Sequence, residues 1–216
     1  MDQLIETAKH PDGNVIPYLL TTKGSNPQYA VILMPGGAGQ LDPQLYNGKL
    51  VFKLAGNFLI RSRGIFADEE FVAASTDATS NPGRMKAILE DLSKRYPGIQ
   101  VYIIGTSRST LSTMALSGPL DGKVAGFVHT SSMGEIASFD TRGFTSRHLI
   151  VHHKGDGCFA TRFYWAELNH NKFETPLITM EEGISRGDPC QPFAYHGYNG
   201  IEKQTVDKIK AWIKAD

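Results

Sequence analysis

An α/β fold, with a mostly parallel central sheet covered by helices on both faces, is what this sequence predicts, and three observations carry the expectation. Short, nearly continuous apolar runs such as Tyr29-Ala-Val-Ile-Leu-Met, suited to strands buried on both faces, alternate with segments of helical periodicity along the chain. One of these runs ends in a glycine-rich turn, Gly36-Gly-Ala-Gly. Another, Val101-Tyr-Ile-Ile-Gly-Thr, turns sharply at Ser107 into a helix. In such sheets function belongs at the carboxyl ends of the strands.

In chain order, Asn14 to Thr22 is a mixed apolar run whose Pro17 suits an edge or early strand. Tyr29 to Met34 is a central strand, and the glycine turn after it presents unencumbered backbone N–H groups able to bind a phosphate or an oxyanion. Leu45 to Ser62 is apolar in patches and is expected to be helical, with Phe71-Val-Ala-Ala-Ser as the next strand. Met85, Ile88, Leu89 and Leu92 mark a helix that Pro97-Gly98 stops, and a helix from Thr110 to Leu116 is halted by Gly118-Pro119. Strands are expected at Val124 to Ser131, His148 to His153 and Pro176 to Met180, with a helix over Thr161 to His170 between the last two. Ile201, Val206, Ile209 and Ile213 give the final segment one apolar face, that of a helix packed on a sheet. No repeat or linker interrupts the pattern, so residues 1–216 are expected to form one domain.

Composition excludes several classes of partner. Lys plus Arg and Asp plus Glu number 22 each, so no net field recruits nucleic acid or an anionic membrane. No apolar stretch approaches the length of a membrane span, and the polar opening from Asp2 lacks the pattern of a secretory signal. A small-molecule partner is the expectation, with the oligomeric state open. The glycine turn lacks the Gly-Lys-Ser/Thr of a nucleotide-binding loop and the dinucleotide fingerprint. Cys158 and Cys190 belong to no metal-binding pattern, so neither a metal nor a cofactor is expected.

A serine hydroxyl needs a base to take its proton and an acid to orient that base. Ser107, with Gly105 two before it and Ser109 two after, stands on the kind of strand-turn-helix that lifts a nucleophile clear of a sheet. Ser109 replaces the usual second glycine of that turn and tolerates positive φ less readily. Asp156 lies just beyond the strand ending at His153, and His196 between the last strand and the last helix. Each residue alone has a plainer reading: Ser107 as a helix cap, Asp156 as a turn residue, His196 as a loop histidine. Asp77 is the substitute acid. His129, His152 and His153 fall upstream of the slot for the base, and His10 and His170 are expected in solvent.

Taken in order, Pro35-Gly-Gly-Ala-Gly, Gly105-Thr-Ser-Arg-Ser, His153-Lys-Gly-Asp-Gly-Cys and His196-Gly-Tyr-Asn-Gly-Ile-Glu resemble the α/β-hydrolase superfamily over nearly the whole chain. More narrowly, the chain resembles small lidless bacterial hydrolases that pair a cysteine after the acid with one before the histidine. The resemblance implies Ser107 as nucleophile, Asp156 as acid and His196 as general base. It also implies an oxyanion hole from the backbone N–H of Arg108 and one at Gly37 or Ala38. Cys158 and Cys190, two residues after Asp156 and six before His196, would then form a disulfide, although two free thiols stay open on composition alone. A disulfide implies a periplasmic or secreted protein whose signal has been removed, and free thiols a cytoplasmic one. The short stretch from Ser131 to Arg147 leaves little room for a lid, so an open site for bulky or extended esters is expected, with Arg108, Met133, Tyr195 and Tyr198 at its mouth. Hydrolysis of carboxylic esters is the leading reading. The same triad would serve an amide or thioester hydrolase, and a non-catalytic ligand-binding protein of the same fold is the alternative from another class.

Overall fold

The computed structural model describes residues 1–215; position 216 of the expected domain lies outside the described residues. The strands are β1 (Asp2–Lys9), β2 (Val15–Thr22), β3 (Tyr29–Met34), β4 (Gln44–Tyr46), β5 (Lys49–Val51), β6 (Phe71–Ser75), β7 (Gln100–Thr106), β8 (Gly126–Thr130), β9 (Arg147–His153) and β10 (Leu177–Met180). The helices are α1 (Phe58–Phe66), α2 (Pro82–Arg95), α3 (Thr110–Ser117), α4 (Phe163–Phe173) and α5 (Glu202–Lys214). Eight strands form one sheet in the order β1-β2-β6-β3-β7-β8-β9-β10, and β4 and β5 form a separate hairpin. From β6 to β10 every pairing is parallel, while β1 and β2 are joined antiparallel to each other and β2 antiparallel to β6. The expected mostly parallel sheet is therefore present, with an antiparallel flank.

Period-two alternation along the central strands divides the core between the two faces. Ile32, Ile103 and Phe127 pack with Met85, Ile88 and Leu92 of α2 and Leu116 of α3. Their neighbours Val31, Leu33, Tyr102, Ile104 and Val128 pack with Phe58 and Leu59 of α1 and Val206, Ile209 and Ile213 of α5. Ile150 and Ala166 bring α4 onto the first of these faces. Helices thus cover both sides and leave the carboxyl edge of β3, β7 and β9 to the loops.

One local expectation is corrected, and the structure adds a strand on which the sequence reading was silent. The polar opening is a strand: β1 pairs along its whole length with β2. This makes β2 an inner strand, and Pro17 is accommodated because β6 pairs only with Leu19 to Thr21, beyond the proline. Leu45 to Ser62 is not one helix, since Asn47 and Gly48 adopt φ of 50° and 74° and reverse the chain between β4 and β5. Helix α1 starts only after Asn57, whose side chain accepts the N–H of Leu59. Residues 131–146 contain one short 3-10 turn, Gly134–Ser138, so no helical lid stands over the sheet edge.

Candidate active site

The turn after β7 holds Ser107 at φ 54°, a left-handed conformation that costs a non-glycine residue about 1–2 kcal/mol. The surroundings hold it there. Ser109 Oγ accepts the N–H of Thr106 at 2.7 Å and lies 2.8 Å from the Met34 carbonyl to which it donates, tying the turn to the end of β3. Thr110 Oγ1 donates to the Ser107 carbonyl at 2.6 Å. A Cβ at Gly105 would lie 2.7 Å from the Ser109 carbonyl oxygen, and one at Gly36 would lie 2.7 Å from the Thr106 carbonyl oxygen. Only glycine at these two positions lets the strand, the turn and the glycine loop approach so closely. Ser109 itself sits at φ −73°, so the second glycine of the usual pattern is not needed for its backbone freedom. The serine found there uses its hydroxyl to brace the turn instead.

Asp156 follows the carboxyl end of β9, and its carboxylate is fully buried. Oδ1 accepts the N–H of Cys158 at 2.9 Å. Oδ2 lies 3.0 Å from His196 Nδ1, 3.0 Å from Thr161 Oγ1 and 3.3 Å from His152 Nε2. Burial alone would raise the carboxyl, but hydrogen bonds and charge from His152 and His196 outweigh it and hold Asp156 well below the ordinary carboxylate range. It is ionised at neutral pH. The His196 loop is fastened from behind: Ser131 Oγ donates to the His196 carbonyl at 2.7 Å, and Arg61 donates to the Gly197 carbonyl at 2.6 Å while pairing with Glu202. With Nδ1–H directed at Asp156, His196 has its other ring nitrogen free to accept a proton.

Ser107 and His196 line one cleft of about 640 Å³ together with Gly37, Arg108, Met133 and Phe159. Among the described residues the two side chains make no direct hydrogen bond; such bonds often tighten only when substrate is bound. A second wall is the disulfide between Cys158 and Cys190, which joins the Asp156 loop to the His196 loop. Gly37 borders the cleft, whereas Ala38 lines a smaller recess beside it of about 290 Å³, so Gly37 is the better placed of the two expected donors. A larger surface groove of about 850 Å³ runs along α5 and contains none of the candidate residues.

Several other expectations resolve here. Asp77 is far from the role of acid: its Oδ1 accepts the N–H groups of Leu41 and Asp42 and pins the chain after the glycine loop. Arg108 and Met133 are at the mouth, but Tyr198 is buried beneath the site, packed on Phe58 with its hydroxyl donating to the Val151 carbonyl. Tyr195 stacks on His153 at 4.3 Å between ring centres. Two residues that the sequence pattern passes over touch the acid. His152 Nε2 lies 2.6 Å from the Thr161 carbonyl, which can only accept, so its proton is on Nε2 and is shared with Asp156. Thr161 bridges acid and base, 3.0 Å from each. Placement of His152 at the carboxyl end of a strand was the available signal, since that edge is where side chains converge. Among the described residues no His, Cys, Asp or Glu cluster is arranged to hold a metal ion, and no helix is long and apolar enough to cross a membrane.

No protein-family model and no curated protein sequence matches the chain. Solved structures do. A lidless α/β serine hydrolase from Xanthomonas campestris is similar with a TM-score of 0.64 at 8% identity, over 100% of this chain and 97% of the other. The esterase domain of a Rhodothermus marinus protein is similar with a TM-score of 0.65 at 12% identity, over 98% of each chain. An α/β serine hydrolase homologue from Coxiella burnetii gives 0.64 at 12% identity, over 97% of this chain and 98% of the other. The architecture is the α/β-hydrolase fold without a lid.

Proposed function

We propose that this protein, acting as one domain, hydrolyses carboxylic esters through an acyl-serine intermediate. The observation that carries the reading is the buried Asp156–His196 contact of 3.0 Å, opening onto the same cleft as a serine held at φ 54°. Ser107 Oγ attacks the ester carbonyl as His196 takes its proton. The Asp156 carboxylate stabilises the imidazolium so formed and keeps the ring in the working tautomer. Backbone N–H groups of Arg108 and Gly37 face the oxygen that becomes negative, which is where fixed dipoles lower the barrier most. His196 then returns the proton to the departing alcohol, and water repeats the sequence on the acyl-enzyme. The exposed, apolar mouth with Phe159 accommodates a bulky or extended substrate without a lid having to open. The Rhodothermus marinus structure named as an esterase domain supports an ester over an amide or thioester.

Ser107→Ala tests the reading directly. Turnover of p-nitrophenyl butyrate and labelling by a fluorophosphonate should both vanish in the folded variant. Undiminished turnover would overturn the assignment of the nucleophile, and wild-type protein that takes up no fluorophosphonate would favour a non-catalytic binding protein.

A further inference from the structure

Beside the cleft, and sharing Gly37 and Arg108 with it, lies the recess of about 290 Å³. The two differ in character. The cleft is walled by Leu54, Phe58, Met133, Phe159 and the disulfide, whereas the recess is bounded by the glycine loop and by Ser80 and Ser112. Among the described residues no Asp or Glu lines either one, and Arg108 is the single Lys or Arg that lines both.

Arg108 is exposed and, among the described residues, its guanidinium enters no ion pair and no hydrogen bond. The other arginine near the cleft, Arg61, is already committed to Glu202 and to the carbonyls of Gly56 and Gly197. The recess also holds neutral donors. The backbone N–H of Ala38 meets no acceptor among the described residues, and it is not required for an oxyanion hole built from Gly37 and Arg108. Ser112 Oγ accepts from Ser80 at 3.2 Å and keeps its own proton to give. Arg108 with its unpaired guanidinium, the Ala38 N–H and the Ser112 hydroxyl belong to residues that line this recess, and among the described residues they form a donor set with no acceptor. Guanidinium matches a carboxylate in shape and charge, and its long stem reaches it from the rim.

We infer that this recess is an anion subsite, and that Arg108 makes the enzyme selective for esters that also carry a carboxylate, whose apolar portion lies in the larger cleft. The inference rests on the ester-hydrolase reading for its substrate, but its binding half can be tested without catalysis.

Two matched pairs of esters provide the kinetic measurement. One is the mono-p-nitrophenyl ester of glutaric acid against p-nitrophenyl pentanoate, which places the charge on the acyl side. The other is 3-carboxyphenyl butyrate against phenyl butyrate, which places it on the alcohol side. In one of the pairs Arg108→Gln should lower the ratio of kcat/KM, charged over neutral, by about tenfold, the size expected for a lost hydrogen bond to a charged group. Arg108→Glu should lower it further and Arg108→Lys should keep most of it. In parallel, monomethyl glutarate is titrated calorimetrically into the Ser107→Ala protein and into Ser107→Ala with Arg108→Gln, both checked for folding by circular dichroism. Binding should weaken about tenfold in the double variant. If the esters turn over but neither the ratio nor the binding moves by more than twofold, the anion subsite is refuted and the esterase reading stands. If no ester turns over but monomethyl glutarate binding depends on Arg108, the esterase reading is refuted and the subsite stands. Absence of binding to the Ser107→Ala protein together with unchanged ratios also overturns the subsite.

Discussion

Replacing Asp156 by asparagine tests the acid by a change of charge at nearly constant shape. The carboxylate accepts four donors: the Cys158 N–H on one oxygen, and His196, His152 and Thr161 on the other. Asparagine offers one acceptor and one donor, so its amide NH2 must confront either the Cys158 N–H or three donors at once. The first choice is the smaller penalty, a pair of opposed donors in a site closed to water, at about 1–3 kcal/mol. The donors that keep an acceptor now bond a neutral oxygen in place of a charged one, and hydrogen bonds to a charged group contribute about 1.5–3 kcal/mol, which brings the expected destabilisation to about 3–5 kcal/mol at pH 7. Catalysis should suffer more, because the imidazolium formed during attack loses its counter-charge; kcat should fall about 10³- to 10⁴-fold. The pH dependence has a definite sign. Asp156 is held below its ordinary range, so its stabilisation is complete above that range and is lost as pH falls toward its folded value. The stability gap between wild type and Asp156→Asn should therefore narrow by about 1.4 kcal/mol per pH unit below about pH 4. Steady-state turnover of p-nitrophenyl butyrate and urea unfolding at several pH values measure all three effects. Retention of more than a tenth of kcat in Asp156→Asn, with loss of activity in Asp77→Asn, would refute the placement of the acid.

Ser109→Gly restores the commoner pattern of the nucleophile turn yet removes the hydroxyl that bonds Thr106 and Met34, so it should lower stability by about 1–3 kcal/mol and reduce kcat, as urea midpoints and ester turnover will show. The cysteines are 32 positions apart, and on a chain-entropy estimate Cys158→Ala with Cys190→Ala should cost about 4 kcal/mol, read as a lower urea midpoint relative to the oxidised wild type. His148 is buried among Phe127, Phe139 and Phe144 beside His129, and burial lowers it to about 4. Its neutral form is the folded form, so stability is full above about pH 6.5 and falls by about 1.4 kcal/mol per unit as pH drops from there toward 4. In His148→Gln that contribution to the slope should disappear from unfolding curves taken between pH 7 and pH 4.

The sheet was legible because buried parallel strands leave a mark that needs no partner to be recognised: Tyr29 to Met34 and Val101 to Thr106 are apolar on both faces because helices cover both. That the candidates Ser107, Asp156 and His196 would converge was legible for a related reason, since each follows a strand and the ends of parallel strands meet at one edge; their catalytic roles remain the proposal. What escaped was set by contacts distant in sequence. Strand β1 is half exposed and polar, and it is a strand only because β2 offers it a ladder. Asn47-Gly48 carried a hairpin signal that the apolar patches around it obscured. His152 and Thr161 acquire their roles from the fold of the Asp156 loop, which brings a strand end and the start of α4 onto one carboxylate oxygen. Tyr198 shares a loop with His196 but points the other way, because its own backbone is left-handed at φ 55°.

The bond between Cys158 and Cys190 has a topological effect separate from stability. Everything from the end of the acid loop through α4 and β10 to the start of the base loop is closed into a ring whose two ends meet at the cleft. A proteolytic cut within the exposed stretch 181–188 would leave one covalent molecule with its acid and base still adjacent. Doubling the length of the ring's interior would add only about 0.6 kcal/mol of closure cost. The ring lets the chain be cut or lengthened at the exposed positions of this stretch while the loops that carry Asp156 and His196 stay covalently joined.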